Sequence, residues 1–404
     1  MNHITQLVNQ LCPDGVVYKR LGEIAQRNKG VNITAGKMKN LNKEGAPVKV
    51  FAGGQTVAYM DYEDLPNANI IKEPSIIVKS RGNIGFEYYV KPFTHKNEMW
   101  SYTIKDENVN DKFVYYYLLN KVSYFQRLAK ANSVKLAQLV ISDTDDFEIP
   151  VPPLQIQEEI VRVLDNFSAL EAELEAELEA RQRQYAHYRD ALLQFDCSVT
   201  TKKLGDLGVF YGGLSGKSKA DFTDGNAKFI TYKNIYSNPA LNLDDDATVK
   251  IGEHERQNVI EYGDVLFTGS SETPDECGFS SVVTKKPTEK MYLNSFCFGY
   301  RLYDKTIFVP DFLKHLLRSN NLRKQIFKTA SGVTRYNVSK KLFAEVVIPI
   351  PPIAEQQRIV DILDKFAALT TDLQRGLPAE LAARRKQYAH YRDTLLTFKK
   401  REND

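Results

Sequence analysis

Two stretches of this chain repeat each other in register. IPVPPLQIQEEIVRVLDNFSAL at Ile149–Leu170 returns as IPIPPIAEQQRIVDILDKFAAL at Ile348–Leu369, and RQYAHYRDALLQF ending at Phe195 returns as KQYAHYRDTLLTF ending at Phe398. The text between these matches repeats far less well, with only a weak echo of YKRLGEI in TKKLGDL at the start of each half. The plan is therefore a globular segment followed by a long helix, used twice, with the helices kept alike and the globular parts diverged. A shared scaffold carrying separate readouts follows from it.

Both repeats carry helical periodicity. In the first, Leu164, Phe167, Leu170, Leu174, Leu178, Tyr185, Tyr188, Leu192 and Phe195 fall at steps of three and four, with one step of seven over Arg181. In the second, Leu363, Phe366, Leu369, Leu373, Leu377, Leu381, Tyr388, Tyr391, Leu395 and Phe398 do the same. Each set is one apolar stripe, and about 40 residues at 1.5 Å rise predict a helix roughly 60 Å long. A stripe of that length needs a partner, and the other copy, packed as a coiled coil, is the nearest one. Proline clusters, Pro150, Pro152 and Pro153 or Pro349, Pro351 and Pro352, precede each helix and mark the exits from the globular segments. The second helix is one four-residue unit longer between its leucine stripe and its tyrosines, which adds roughly 6 Å while nearly keeping the face. It also holds Gly376 and Pro378, which predict a kink or short break. Between the helices, runs such as IIVKS and VLFTG read as strands, while FVYYYLLNKVSYFQRLAKA and DFLKHLLRSNNLRKQIFKTA read as helices.

The expected architecture is α+β with a pseudo-twofold internal repeat: two globular segments at 1–148 and 198–347, and long helical regions at 149–197 and 348–404. At 404 residues, 43% hydrophobic and 26% charged, such a chain folds without staples. Cys12, Cys197, Cys277 and Cys297 lie far apart without metal-ligand spacing, so free thiols in a reducing cytoplasm are expected and no metal site is. No apolar run approaches the roughly 20 residues that cross a bilayer, and the start of the chain lacks a signal pattern, so a cytoplasmic protein is expected. The net charge of +3 hides an imbalance, because Glu158, Glu159, Glu171, Glu173, Glu175, Glu177 and Glu179 crowd onto the first helix and leave the globular parts more basic than the total. That suits globular parts facing a polyanion, and a merely solvated acidic helix fits the glutamates equally well.

Catalytic signatures are missing. GGLSGKS at Gly212–Ser218 fails the phosphate-binding loop by one residue, because Tyr211 stands where the first glycine is required. A basic, hydroxyl-rich loop is the better reading. There is no G-x-G-x-x-G, amino-methyltransferase Asn-Pro-Pro-aromatic, HExxH or GxSxG motif. His187 and His390, with Arg189, Asp190, Arg392 and Asp393, recur at equivalent positions of QYAHYRD and read as helix-surface or interface groups, not as catalysts.

At these residues the chain resembles specificity subunits of type I restriction–modification systems, over essentially its whole length. The twin IPxPP-to-YRD regions carry the likeness, and LEAELEAELEA is similar to the short tetrapeptide repeat of the C-type branch. IIVKSRGNIG at Ile76–Gly85, HKNEMWSYTI at His95–Ile104, VISDTDDFEIPVPP ending at Pro153, GGLSGKSKADF and SGVTRYNVSKK at Ser331–Lys341 support it. The resemblance implies two target-recognition domains, each reading half of a split DNA site, and helices that recruit two modification subunits. Those subunits would carry S-adenosylmethionine and methylate adenine, and two restriction subunits would join to cleave using ATP and Mg. This chain itself would be non-catalytic and hold no cofactor, within a system of phage defence. For partner binding, the stripe residues Leu174, Leu178, Tyr185, Tyr188, Leu373, Leu377, Tyr388 and Tyr391 are the candidates.

Loops are the expected DNA contacts. In the first domain Lys79, Ser80, Arg81 and Asn83 follow a strand-like run and offer phosphate donors and an arginine able to grip guanine, while Asn132, Ser133 and Lys135 form a second loop. In the second domain the counterparts are Ser215, Lys217 and Lys219, then Thr268, Ser270 and Ser271, then Arg335, Tyr336 and Asn337. A solvated surface loop is the competing reading for each cluster, and Tyr336 fits a core position equally well. At the level of the molecule the alternatives are a protein-interaction scaffold without DNA specificity, and a self-contained methyltransferase or nuclease, which the missing motifs disfavour.

Overall fold

The computed structural model describes residues 2–54, 56–66, 68–132, 135–371 and 376–402. The fold is α+β and forms two compact units: Met1–Leu174 with Leu381–Asp404, and Glu175–Glu380. The long helical regions are thus shared out. Leu154–Leu192 is one continuous helix, and 39 residues at 1.5 Å make it about 58 Å long. Its first part belongs to the first unit and its last part to the second.

In the first unit, strand β1 (Val17–Arg20) pairs antiparallel with β9 (Glu148–Val151). A four-stranded antiparallel sheet runs β2 (Ala25–Asn28), β8 (Trp100–Ile104), β5 (Ser75–Lys79), β6 (Gly85–Tyr89). A three-stranded sheet runs β4 (Val57–Met60), β3 (Val48–Phe51), β7 (Phe93–His95), with β3 and β7 parallel. Helices Asp111–Asn120 and Val122–Asn132 bury Phe113, Val114, Leu118 and Phe125 in one core with Ile76, Val78 and Tyr102 of the sheet. These are the helical and strand runs expected from the periodicity.

The second unit repeats this topology. β10 (Thr201–Lys203) pairs with β21 (Val347–Pro349). The four-stranded sheet runs β11 (Gly208–Gly212), β18 (Cys297–Leu302), β14 (Val265–Thr268), β16 (Ser280–Val282). The three-stranded sheet runs β13 (Thr248–Val249), β12 (Ala227–Ile230), β17 (Met291–Leu293), with β12 and β17 parallel. A further small sheet joins β15 (Ser270–Ser271), β20 (Tyr336–Val338) and β19 (Ala330–Ser331). Strand order and sense recur although the side chains do not, because backbone hydrogen bonding needs only the right pattern of buried positions.

The helices repeat down to single buried groups. Gln157 accepts from the Asn110 N–H at 2.8 Å and donates to the Asn108 and Pro152 carbonyls at 2.9 and 2.6 Å. Gln356 accepts from the Val309 N–H at 2.8 Å and donates to the Ile307 and Pro351 carbonyls at 2.9 and 2.8 Å. Both are fully buried, so each amide satisfies backbone groups that the prolines and turns leave unpaired. The prolines sit as expected: Pro150 is in the two-stranded β1–β9 ribbon, and the helix begins just past Pro153.

The second helical region is interrupted, as Gly376 and Pro378 predicted. One helix spans Ile353–Thr371 and the next Leu377–Leu395, with Pro378 in its first turn, where a missing N–H costs least. Leu373 lies outside the described residues.

The apolar stripes are covered in part inside the units, while Leu170, Tyr188 and Leu369 stay exposed. In the first, Phe167 meets Tyr391 and Tyr388 at ring-centroid distances of 5.2 and 6.0 Å, and Glu171 pairs with Arg385 at 2.6 Å. Leu395 and Leu396 are buried in the same core as Ile160 and Leu164. In the second unit Tyr188 stacks on Phe366 at 5.3 Å, Tyr185 accepts or donates to His315 Nδ1 at 3.1 Å, and Leu193 is buried with Ile359 and Leu363. The start of each helical region therefore pairs with the end of the other, reciprocally. Tyr185, Tyr388 and Tyr391 are thus half-buried against this chain, and Tyr188 stacks on it while remaining 41% exposed. Leu174, Leu178 and Leu377 are half-buried.

Candidate nucleic-acid interface

In both units the loop that leaves the central strand of the larger sheet is stitched to the segment that precedes the exit strand. In the first unit Arg81 bridges to Gln138, the Gly82 N–H donates to the Ala137 carbonyl at 2.8 Å and the Leu139 N–H to the Ser80 carbonyl at 2.8 Å. In the second, Ser270 pairs with Asn337 and Ser271 with Tyr336, and the Val338 N–H donates to the Gly269 carbonyl at 2.9 Å. Candidate clusters that are far apart in sequence are thereby brought together at equivalent places, Arg81 and Asn83 with the segment 135–138, and Ser270 and Ser271 with Arg335–Asn337.

The first unit presents Arg81, Asn83 and Lys135 to solvent. Gly82 takes φ +76°, a left-handed turn that favours glycine and sets Arg81 and Asn83 on either side of it. Lys79 is committed to an ion pair with Glu87 at 2.8 Å, and Lys49 approaches the same carboxylate at 3.6 Å. Ser80 is only 1% exposed and donates to the Glu98 carbonyl, so it serves the fold and not a ligand. Asn132 is exposed, with its amide on Asp143 at 2.8 Å. Ser133 lies outside the described residues. Beside Asn83 the structure adds Gln126 and Lys130, which line a hollow of about 210 Å³ with Gly82 and Ala137.

The second unit holds a cleft of about 600 Å³ lined by Ser270, Ser271, Thr334 and Arg335 together with Tyr232, Lys233, Tyr236, Glu272, Glu276 and Phe296. Arg335 donates through Nε and Nη2 to Ser270 Oγ at 3.2 and 3.0 Å, and its guanidinium lies 5.6 Å from the centroid of Phe296, which is 60% exposed. The hairpin between β19 and β20 turns at Gly332, φ +152°, where a Cβ would lie 2.0 Å from the Arg335 carbonyl oxygen. Val333 at its tip is 89% exposed. Tyr336 is half-buried and Asn337 exposed. Tyr236 donates to Glu276 at 2.7 Å and holds its carboxyl below the usual range.

Like Ser80, two candidates of the second unit are corrected. Thr268 is fully buried, and its hydroxyl accepts from the Phe279 N–H at 3.0 Å as part of the β14 core. The Lys217 side chain is 7% exposed, with its ammonium on Glu255 at 2.5 Å and the Lys250 carbonyl at 2.6 Å. The Gly252 N–H first, then Lys217, push the Glu255 carboxyl down to about 2. GGLSGKS is thus a self-bonded surface loop, and of the candidates in and just after it Ser215 and Lys219 remain exposed. Sequence reasoning missed Tyr232, Tyr236, Glu276 and Phe296, since a short helix, a turn and a loop far apart in sequence bring them to the cleft.

Two units of one topology, differing in the side chains their loops expose, are built on one repeated helical plan. The chain belongs to the family of type I restriction–modification DNA specificity proteins, whose domain model matches residues 13–180 and 198–383. It is 35% identical over 303 residues to a type I restriction enzyme specificity subunit of Escherichia coli, covering 72% of each chain. It is 29% identical over 320 residues to a putative one of Haemophilus influenzae, covering 72% of this chain and 73% of that one. In fold it is similar to the crystal structure of a type I restriction–modification S subunit from M. genitalium, with a TM-score of 0.52, 17% identity and 94% of each chain covered. A structure described under complex assembly and conformational transition of the type I system matches with a TM-score of 0.56 at 16% identity, covering 95% of this chain and 97% of that one.

Proposed function

We propose that this chain is the non-catalytic DNA-recognition subunit of a type I restriction–modification complex in the cytoplasm, and that its two units read the two halves of an asymmetric, interrupted site. The observation that carries the reading is the repeated stitching of the post-strand segment to the pre-exit segment, a common backbone frame that bears Arg81 on its post-strand side in one unit and Arg335 on its pre-exit side in the other. A frame held constant while its side chains change is what two different half-sites require. Arginine is suited to the bidentate acceptors of guanine, and exposed lysines such as Lys135 and Lys219 to phosphates.

The exposed faces of the helical scaffold recruit two modification subunits, and through them two restriction subunits; S-adenosylmethionine, ATP and Mg belong to those partners. The acidic stretch Glu171–Glu179 is a contact surface of the right character for a basic partner. Helix length sets the spacer, since one four-residue unit adds roughly 6 Å against 3.4 Å per base pair. Duplex binding by the assembled complex at rising salt tests the DNA reading. Affinity that falls steeply with salt, with a specific site retaining its advantage over random duplex, is expected. Assembly without any site preference would favour the scaffold alternative.

A further inference from the structure

The cleft of the second unit pairs its guanidinium with a carboxylate. Glu276 lines the same cleft as Arg335, and its two oxygens are each engaged by a hydroxyl donor, Tyr236 at 2.7 Å and Ser271 at 3.2 Å. The turn that bears it is clamped from beneath by Arg323, which donates to the carbonyls of Asp275, Cys277 and Gly278 at 2.7, 2.6 and 2.7 Å and lies 4.5 Å from the Phe279 ring centroid. Glu276 is therefore aimed. A carboxylate on a DNA-facing surface is repelled by phosphates, so backbone binding cannot be its use. Ionised, it only accepts hydrogen bonds, and the donors on the major-groove edges of bases are exocyclic amino groups. Ser270 takes two of the five N–H donors of Arg335, which leaves donors for guanine O6 and N7. A G·C pair presents both chemistries side by side.

Resting on the DNA-recognition reading above, we propose that Glu276 is a specificity-determining residue, accepting a hydrogen bond from the N4 amino group of the cytosine whose paired guanine is held by Arg335. The two residues then read one base pair of one half-site. The test is methyladenine mapping in a methylation-free host that produces the full chain, or its Glu276→Gln, Glu276→Ala or Arg335→Gln variant, with the cognate modification subunit, alongside recovery of the assembled complex. Glu276→Gln and Arg335→Gln are expected to relax the same single G·C position, with about ten- to hundredfold weaker discrimination there, while the other half-site and the spacer stay unchanged. Glu276→Ala is expected to bind random duplex at least as tightly as the parent chain, because a repulsive charge has gone.

An unchanged motif in the Glu276 variants would overturn the proposal. So would relaxation at different positions for Glu276 and Arg335, or loss of all methylation from a recovered complex. If the parent chain itself produces no interrupted motif, the DNA-recognition reading fails and this proposal falls with it; an intact parent motif that ignores Glu276 removes this proposal alone.

Discussion

Arg81 and Arg335 lie on opposite sides of the same stitch, Arg81 after the central strand and Arg335 before the exit strand, and differ in how far they are preset. Arg335 is held by Ser270 and Phe296, whereas Arg81 stands beside a left-handed glycine turn. Replacing either with alanine is expected to weaken specific binding by about ten- to hundredfold and to leave non-specific binding and assembly nearly unchanged, as competition with random duplex will measure. The buried glutamines govern stability. Gln356→Leu leaves the Val309 N–H and two carbonyls unpaired, so chemical denaturation is expected to show a loss on the order of 2–3 kcal/mol or more. His315 gives the second unit a pH dependence. Burial, the largest cause, pushes its imidazole below the ordinary value of 6.5, even against the hydrogen bond to Asp364. A depressed folded value means that the unfolded chain takes up the proton first, so the stabilising contribution is complete above about pH 6.5 and is lost as pH falls through the folded value. Stability should decline as pH falls below about 6.5, and His315→Gln should flatten that slope; an unaltered slope would remove His315 as its source. The sequence placed Arg81 and Arg335 outside strands, because strand runs end visibly, but it expected loops where Ser270, Ser271, Tyr336 and Asn337 form short paired strands. It could not separate Thr268 or Lys217 from them, since a hydroxyl or an ammonium looks the same in sequence whether it faces water or a buried acceptor.

Among the elements, the helices were the most legible, down to the break at Gly376 and Pro378. An apolar stripe says that a face is covered and not by what, which is why the tyrosines of QYAHYRD read as partner contacts. Within the chain they close reciprocal pairs, Phe167 with Tyr391 and Phe366 with Tyr188. Aromatic pairs of this kind contribute about 0.5–1.5 kcal/mol beyond burial. Tyr391→Ala is therefore expected to raise hydrogen exchange in the first unit and not in the second, and Tyr188→Ala to do the converse. Faster exchange across both units from either change would contradict the way the helix ends are shared out. Duplicating one LEAE quartet in the helix Leu154–Leu192 extends it by about 6 Å and is expected to lengthen the spacer of the recognised site by one or two base pairs without altering either half-site. The shared strand order of the two globular parts was hidden from the sequence, because antiparallel pairing is set by buried positions that many residues can fill.

At the scale of the molecule, two units of one topology, each completed by a helix end from the other half of the sequence, carry different side chains on the same stitched loops. The central claim is that this arrangement reads a two-part DNA site. Its most direct test is methyladenine sequencing of genomic DNA from a methylation-free host producing this chain with its cognate modification subunit, beside a control lacking the chain. The account predicts a new asymmetric motif of two unlike half-sites separated by a spacer of fixed length, absent from the control. A continuous or symmetric motif, or no methylation from a complex shown to have assembled, would contradict it.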